Sequence, residues 1–259
     1  MRWASVFTAL AAAVLAVSVA GASAPQRGRL VLIVMDERDQ MEALAQYLKE
    51  KGGVTATIVD QSSLPADWSP FHAAIGYIHG NLREAAEVRF IEYTKAGGRF
   101  IALHHTISSG KARNKYLFDF LGIVLTDPEK AREPSQPGGH YAWRDPVSQT
   151  LVNLQPGHYL TSNGIAWPGS TAYESSDQPS VAREFPSLAL DESEVYLNHK
   201  FSDGRAKTVL LGFEWTDDRN RQRYMQDRSG WCKRQGKGWI FYFQPGIRRR
   251  SAAIPRSLR

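Results

Sequence analysis

Two rhythms of apolar residues alternate along the first hundred positions. Short unbroken runs occur at RLVLIVMD (29–36), VTATIVD (54–60), the interior of FHAAIGYIHG (71–80) and RFIAL (99–103). They are too short for helices and fit buried parallel strands. Between them, Met41, Leu44, Ala45 and Leu48 recur at helical spacing, as do Leu82, Ala86, Phe90 and Tyr93. Asp39 and Asn81 stand where caps would begin these helices, and Gly52-Gly53 and Gly97-Gly98 stop them. Strand, helix, strand, then strand, helix, strand predicts an α/β chain with a doubly wound, mostly parallel sheet.

The rhythm fails after the fourth strand. Residues 126–186 are rich in Pro, Gly, Ser and Gln, and only HYAWR looks extended, so long loops with an antiparallel excursion over the sheet are expected. Order returns in SEVYLNHKF (193–201), KTVLLGFEW (207–215) and GWIFYFQPG (238–246), which read as sheet strands.

The first residues do not belong to this pattern. Arg2, an Ala/Val/Leu run and the small residues GASA predict a secretory signal peptide over residues 1–24 and a secreted or periplasmic product. That run is short for a membrane span, so no transmembrane segment is expected in the mature chain. Cys232 is the single cysteine, which excludes an internal disulfide, and its polar, Gly-rich setting suits an inert thiol rather than a nucleophile.

Charge corrects a first impression. The chain has 32 Lys and Arg against 26 Asp and Glu. Arg2 lies in the leader, and Arg248, Arg249, Arg250, Arg256 and Arg259 crowd the last dozen residues. Residues 25–245 hold 26 of each sign, so the body is neutral and no nucleic-acid partner is expected.

Candidate chemistry gathers at strand ends, where open parallel sheets bind ligands. His104 and His105 follow RFIAL, His79 follows the third strand, and Asp36 the first. Adjacent side chains of a strand diverge, so both histidines can enter one crevice only if the chain turns sharply there. Imidazoles so placed could move protons or bind a divalent metal such as zinc, although no HExxH spacing occurs. The sequence LHHTISSG lacks the small-residue frame of a nucleophile elbow, and Ser108 and Ser109 come later without the flanking glycine pattern, so Ser-based acyl transfer, like a Cys- or Ser-nucleophile amidotransferase, is not expected.

GYIHGNLREAAEVRFIEYTKAGGRFIALHH, LDESEVYLNHKF and GWCKRQGKGWIFYFQPG, taken in order, resemble the ThuA-like (trehalose utilisation) family from about residue 30 to 246. The resemblance implies a flavodoxin-like, class I glutamine amidotransferase-like domain over residues 29–246, with His104 where amidotransferases keep a Cys nucleophile. It also implies carbohydrate metabolism on a small sugar or disaccharide, oxidised (3-keto) sugars included. By position it places His104, Glu192, Glu194 and Tyr196 at the crevice; the strand-end His105 joins His104 and the two carboxylates as a catalytic candidate, and His79, Tyr141 and Trp143 join Tyr196 as candidate binding walls. Aromatic faces suit the apolar faces of sugar rings, and carboxylates accept their hydroxyls.

The end departs from that pattern. The family continues Pro-Gly-His, whereas Ile247 stands here, and the Arg-rich residues 247–259 read either as out-of-frame translation or as a cationic tail. A non-catalytic sugar-binding or partner-binding domain with a vestigial site is therefore the alternative expectation.

Overall fold

The computed structural model describes residues 29–177, 181–204 and 206–246; the leader and the tail, Ile247 included, lie outside the described residues. Strand β1 (Arg29–Met35) is followed by helix α1 (Arg38–Gly52), β2 (Val54–Asp60), β3 (Ala73–Tyr77), α2 (Glu84–Ala96) and β4 (Arg99–Leu103). The element types follow the apolar rhythm, while the helix starts differ. Asp39 falls inside the first turn of α1, and α2 begins after Arg83 rather than at Asn81.

Alternation along β1 explains why this half needs helices on both faces. Val31, Ile33 and Met35 pack with Met41, Leu44 and Leu48 of α1, while Leu32 and Val34 pack with Ala86 and Phe90 of α2. Each of these side chains is buried, and each one larger than alanine contributes about 1.5–3 kcal/mol of transfer free energy.

The chain then continues through α3 (Leu117–Leu121), β5 (Ile123–Val124), β6 (Ala142–Asn153), α4 (Tyr159–Ser162), β7 (Gly169–Tyr173) and β8 (Arg183–Leu197). It closes with β9 (Lys200–Phe201), β10 (Thr208–Thr216), β11 (Arg223–Gln235) and β12 (Gly238–Phe243). One 10-stranded sheet runs in the order β2-β1-β3-β4-β12-β11-β10-β6-β8-β7, and β5 pairs with β9 separately.

Two expectations change here. The sheet is mixed rather than mostly parallel: β2, β1, β3, β4 and β12 are parallel, and every pairing from β12 onward is antiparallel. Flavodoxin-like double winding therefore describes only the first half. The stretch read as long loops after the fourth strand contains β6, β7 and the start of β8, which extend the sheet edgewise. Their alternation is hidden because β6 and β8 are broken by register shifts between Arg144 and Val147 and between Val147 and Gln149.

Bulges also bend these long strands. Beyond them, Val195 and Leu197 turn to a satellite core with Ala142, Phe213, Trp215 and Tyr224, and the alternate residues Glu194 and Tyr196 face the other way. Glu192 sits at the bulge with φ of 53°, a left-handed conformation uncommon for a residue with a Cβ. No described helix is long and apolar enough to cross a membrane.

Candidate functional site

The parallel strands end beneath a crevice of about 430 Å³, a size common for small-molecule sites. Its floor is the turn after β4. His104 takes φ of 42°, and a short 3-10 turn over His104–Ile107 replaces the strand. This is the sharp turn that two adjacent histidines require, and it sets their rings 4.2 Å apart, edge to face.

His104 is held from three sides. Its Nδ1 meets the backbone carbonyl of Gln244, and its Nε2 lies 3.0 Å from Glu194 Oε2. Gly246 backs the ring so closely that an added Cβ would fall 2.5 Å from Nε2. The His104 and Glu194 side chains are 6% and 12% exposed, so the pair is largely removed from water.

Donor counting fixes what this pair carries. A carbonyl only accepts, so Nδ1 of His104 must donate to Gln244. Nε2 then faces a carboxylate, and one proton must lie between Nε2 and Oε2. The pair is either imidazolium with carboxylate or imidazole with carboxylic acid. In both forms it is neutral overall and holds a proton that it can give up or take back.

His105 is different. Burial, reinforced by His104, His79 and Lys111, pushes its pKa far below the usual imidazole range, so it stays neutral. Tyr196, whose phenol is pushed well above 10 by burial, keeps its proton and donates to His105 Nδ1 at 2.7 Å. The remaining N–H of His105, on Nε2, then points to His79 Nδ1 at 3.2 Å. His79 is exposed and lies 3.5 Å from Glu37, so the chain Tyr196–His105–His79 joins the buried site to its mouth.

The structure brings His79, His104, His105, Trp143, Glu192, Glu194 and Tyr196 around one crevice. Glu192 and His79 stand at the exposed rim, and Trp143 is half-buried beneath the Arg132 guanidinium. Tyr141 does not line the crevice; it is fully buried and stacks behind Tyr196. Asp36 also lies behind the wall, where its two oxygens accept from the backbone N–H groups of His79 and Gly80 at 2.7 and 2.6 Å. Cys232 lies buried within β11, its thiol pushed up to about 11, so it is no nucleophile.

Sequence reasoning missed Gln244 and Gly246, which act through backbone, and Lys111, a turn beyond the histidines; it set Ser108 aside for want of the flanking glycine pattern. For the latter two a signal existed in the spacing Ser-x-x-Lys.

His104, His105 and Glu194 can also place one ligand atom each within 4.8 Å of the others. Two imidazoles and a carboxylate suit zinc or another divalent transition metal. The Nδ1 bond from His104 to Gln244 is the outer contact that orients a metal-binding imidazole, so this donor set fits a cation once the proton shared with Glu194 and a hydrogen bond to His105 give way.

No family model matches the chain, and no curated protein matches it either. Among solved structures, one named as ThuA-like, from Bacteroides uniformis ATCC 8492, matches with a TM-score of 0.56 and 15% identity over 87% of this chain and 85% of that one. The resemblance drawn from the residues thus holds at the level of the fold. A β-galactosidase from Rahnella sp. R3 matches with a TM-score of 0.45 and 14% identity over 83% of this chain, which spans 28% of that one. A glutamine amidotransferase from Thermotoga maritima matches with a TM-score of 0.44 and 10% identity, over 85% and 76% of the two chains.

Proposed function

We propose that this chain is an exported protein of carbohydrate metabolism that acts on a small sugar or disaccharide, oxidised (3-keto) sugars included, through the His104–Glu194 pair. The observation that carries the reading is the 3.0 Å contact between two largely buried groups that must share a proton, at the mouth of the parallel strands. The ThuA-like resemblance supports the substrate class. So does the wall, where Trp143 offers a flat apolar face and Glu192 an acceptor for hydroxyls.

The chemistry follows from the proton. Given up by imidazolium, it protonates a departing sugar oxygen; with the proton gone, the same pair is a base. In an oxidised sugar the C–H beside the ketone is the acidic one, and removal of that proton by such a base lets the adjacent C–O bond break. The departing oxygen then takes a proton from the pair. Beside the pair, Tyr196, His105 and His79 form a hydrogen-bonded chain that runs to the mouth of the crevice.

A second form of the reading has His104, His105 and Glu194 holding a divalent cation, favoured by the proximity of their ligand atoms. Such a cation would polarise a carbonyl or hydroxyl oxygen of the sugar.

The test is product analysis and calorimetry on a panel of disaccharides and their 3-keto forms. Turnover by the wild type, lowered roughly 100-fold or more in His104→Gln with binding retained, is the expected result. Equal turnover in the variant refutes the acid–base role. Binding without product in the wild type leaves a sugar-binding module.

A further inference from the structure

The crevice holds a second chemical pair that the sugar reading does not use. Lys111 is 1% exposed, and its Nζ has three neighbours. Ile78 O lies at 2.6 Å, His79 O at 2.8 Å and Ser108 Oγ at 3.0 Å. Both carbonyls only accept, so they take two N–H bonds whatever the charge on the amine. What remains on Nζ faces Ser108 alone. In the ammonium form it is a third N–H given to Oγ; in the neutral amine it is a lone pair that receives the Ser108 proton. Among these neighbours, Ser108 is the one group that can lose a proton to Lys111.

We propose that Ser108 is a nucleophile and Lys111 its general base, so that the crevice cleaves esters of short carboxylic acids. The spacing Ser108-Ser109-Gly110-Lys111 is the Ser-x-x-Lys spacing found where a lysine serves a nucleophilic serine. Ser108 is part of the crevice lining and Lys111, fully buried, is not, so the lysine lies behind the serine. The absence of an elbow frame in LHHTISSG does not decide against this arrangement: Ser108 stands beyond the strand, in the extended link between two 3-10 turns, and its base comes from the turn that follows.

Lys111 is suited to the task. Burial lowers its pKa to about 8, with Asp36 opposing the shift, so a useful fraction is neutral near neutrality. The groups that face it are Asp36 after β1, His79 after β3, and His105 and Ser108 on its own side; His105 is neutral.

Ser108 Oγ bonds to the ester carbonyl carbon as its proton passes to Nζ. The tetrahedral adduct then expels the alcohol oxygen, which takes the proton back from Nζ and leaves an acyl-serine. Water adds to the acyl carbon, again losing a proton to Nζ, and release of carboxylic acid restores the Ser108 hydroxyl. Asn81 and Arg132 line the same crevice as donors for the oxyanion.

The full chain is incubated with a fluorophosphonate and, separately, with p-nitrophenyl acetate, and adducts are located by intact mass and peptide mapping. One adduct on Ser108 is expected, with a rate that rises about tenfold per pH unit below the lysine pKa of about 8 and levels above it. Ser109→Ala keeps the adduct and Ser108→Ala loses it. Lys111→Met slows it at least about 100-fold. Should Lys111→Met not fold, the wild-type rate profile decides alone. Adducts absent from Ser108, adducts on Ser109 or Lys111 instead, or a rate that tracks hydroxide without levelling overturn the proposal. This inference and the sugar reading fail separately: labelling without sugar turnover sinks the latter, and sugar turnover without labelling sinks this one.

Discussion

Gly246→Ala isolates the claim that His104 is positioned by close contact with backbone. A Cβ built on Gly246 falls 2.5 Å from Nε2 and 2.6 Å from Cδ2 and Cε1 of His104. Comfortable contact between such atoms begins near ~3.5 Å, so the ring must retreat by about 1 Å. That motion lengthens the 3.0 Å contact to Glu194 beyond hydrogen-bond range and shifts the bond to Gln244 as well. Overpacking of this kind costs about 1–3 kcal/mol. For a domain of this size that is a fall in Tm of roughly 2–12 °C. Turnover should suffer more than stability, since a displacement of about 1 Å at a reacting group can cost roughly 100-fold. Thermal unfolding gives the first number. Proton NMR gives an independent one: the Nδ1–H of His104, shielded and bonded to a carbonyl, is a slowly exchanging downfield resonance in the wild type and disappears in the variant. A variant whose Tm stays within about 1 °C and whose imidazole resonance does not move would show that the ring is not lodged against Gly246.

Two further outcomes follow from other parts of the structure. If His104, His105 and Glu194 take a cation, zinc at a hundredfold excess over Kd raises stability by about 2.7 kcal/mol, and Glu194→Gln removes most of that gain; a Tm indifferent to zinc counts against the donor set. Asp203 accepts from Lys207 at 2.5 Å and Lys233 at 2.6 Å, and these two lysines outweigh its burial and hold its carboxyl below the usual range. Its contribution is therefore present above the unfolded pKa of about 3.9 and lost as pH falls below it. Asp203→Asn replaces a charged acceptor of two buried lysines by a neutral amide and should cost about 1–3 kcal/mol near neutral pH, a loss that shrinks at acid pH; a denaturant curve at neutral pH that matches the wild type would refute this.

The parallel half was legible because its strands are apolar on both faces and its helices apolar on one, a pattern that survives in the string. β11 was not legible, and the reason is chemical. RYMQDRSGWCKRQ shows neither alternation nor an apolar run, yet nearly all of it is buried. Its polar groups are matched by partners far away in sequence: Gln226 donates to Asn198 Oδ1 at 2.7 Å, Asp227 accepts from Tyr173 at 2.8 Å, and Lys233 donates to Asp203. A polar residue with a distant partner looks like a surface residue until the partner is known. That is also why the polar, Gly-rich neighbours of Cys232 did not mark the buried strand that it occupies. Within the site, strand-end position was enough to nominate His79, His104 and His105. It could not reveal Gln244, whose contribution is a carbonyl oxygen that every residue type possesses.

The crevice is built where the two halves of the sheet meet. His104 comes from the parallel half, Glu194 and Tyr196 from the bent antiparallel half, and β12, which pairs with β4 on one side and β11 on the other, leads directly to Gln244 and Gly246. No half contains the proton-bearing pair, so the pair exists only after residues 90 and 140 positions apart have docked. Such long-range closure is slow to form in folding but stiff once formed. The groups that would meet a ligand are held differently. Trp143, Glu192, His79 and Arg132 line the crevice from strand ends, a bulge and a turn. Their replacement would leave the three supports of His104 in place. The fold thus separates the groups that hold the proton from the groups that choose the ligand, which is the condition under which one scaffold can serve many substrates.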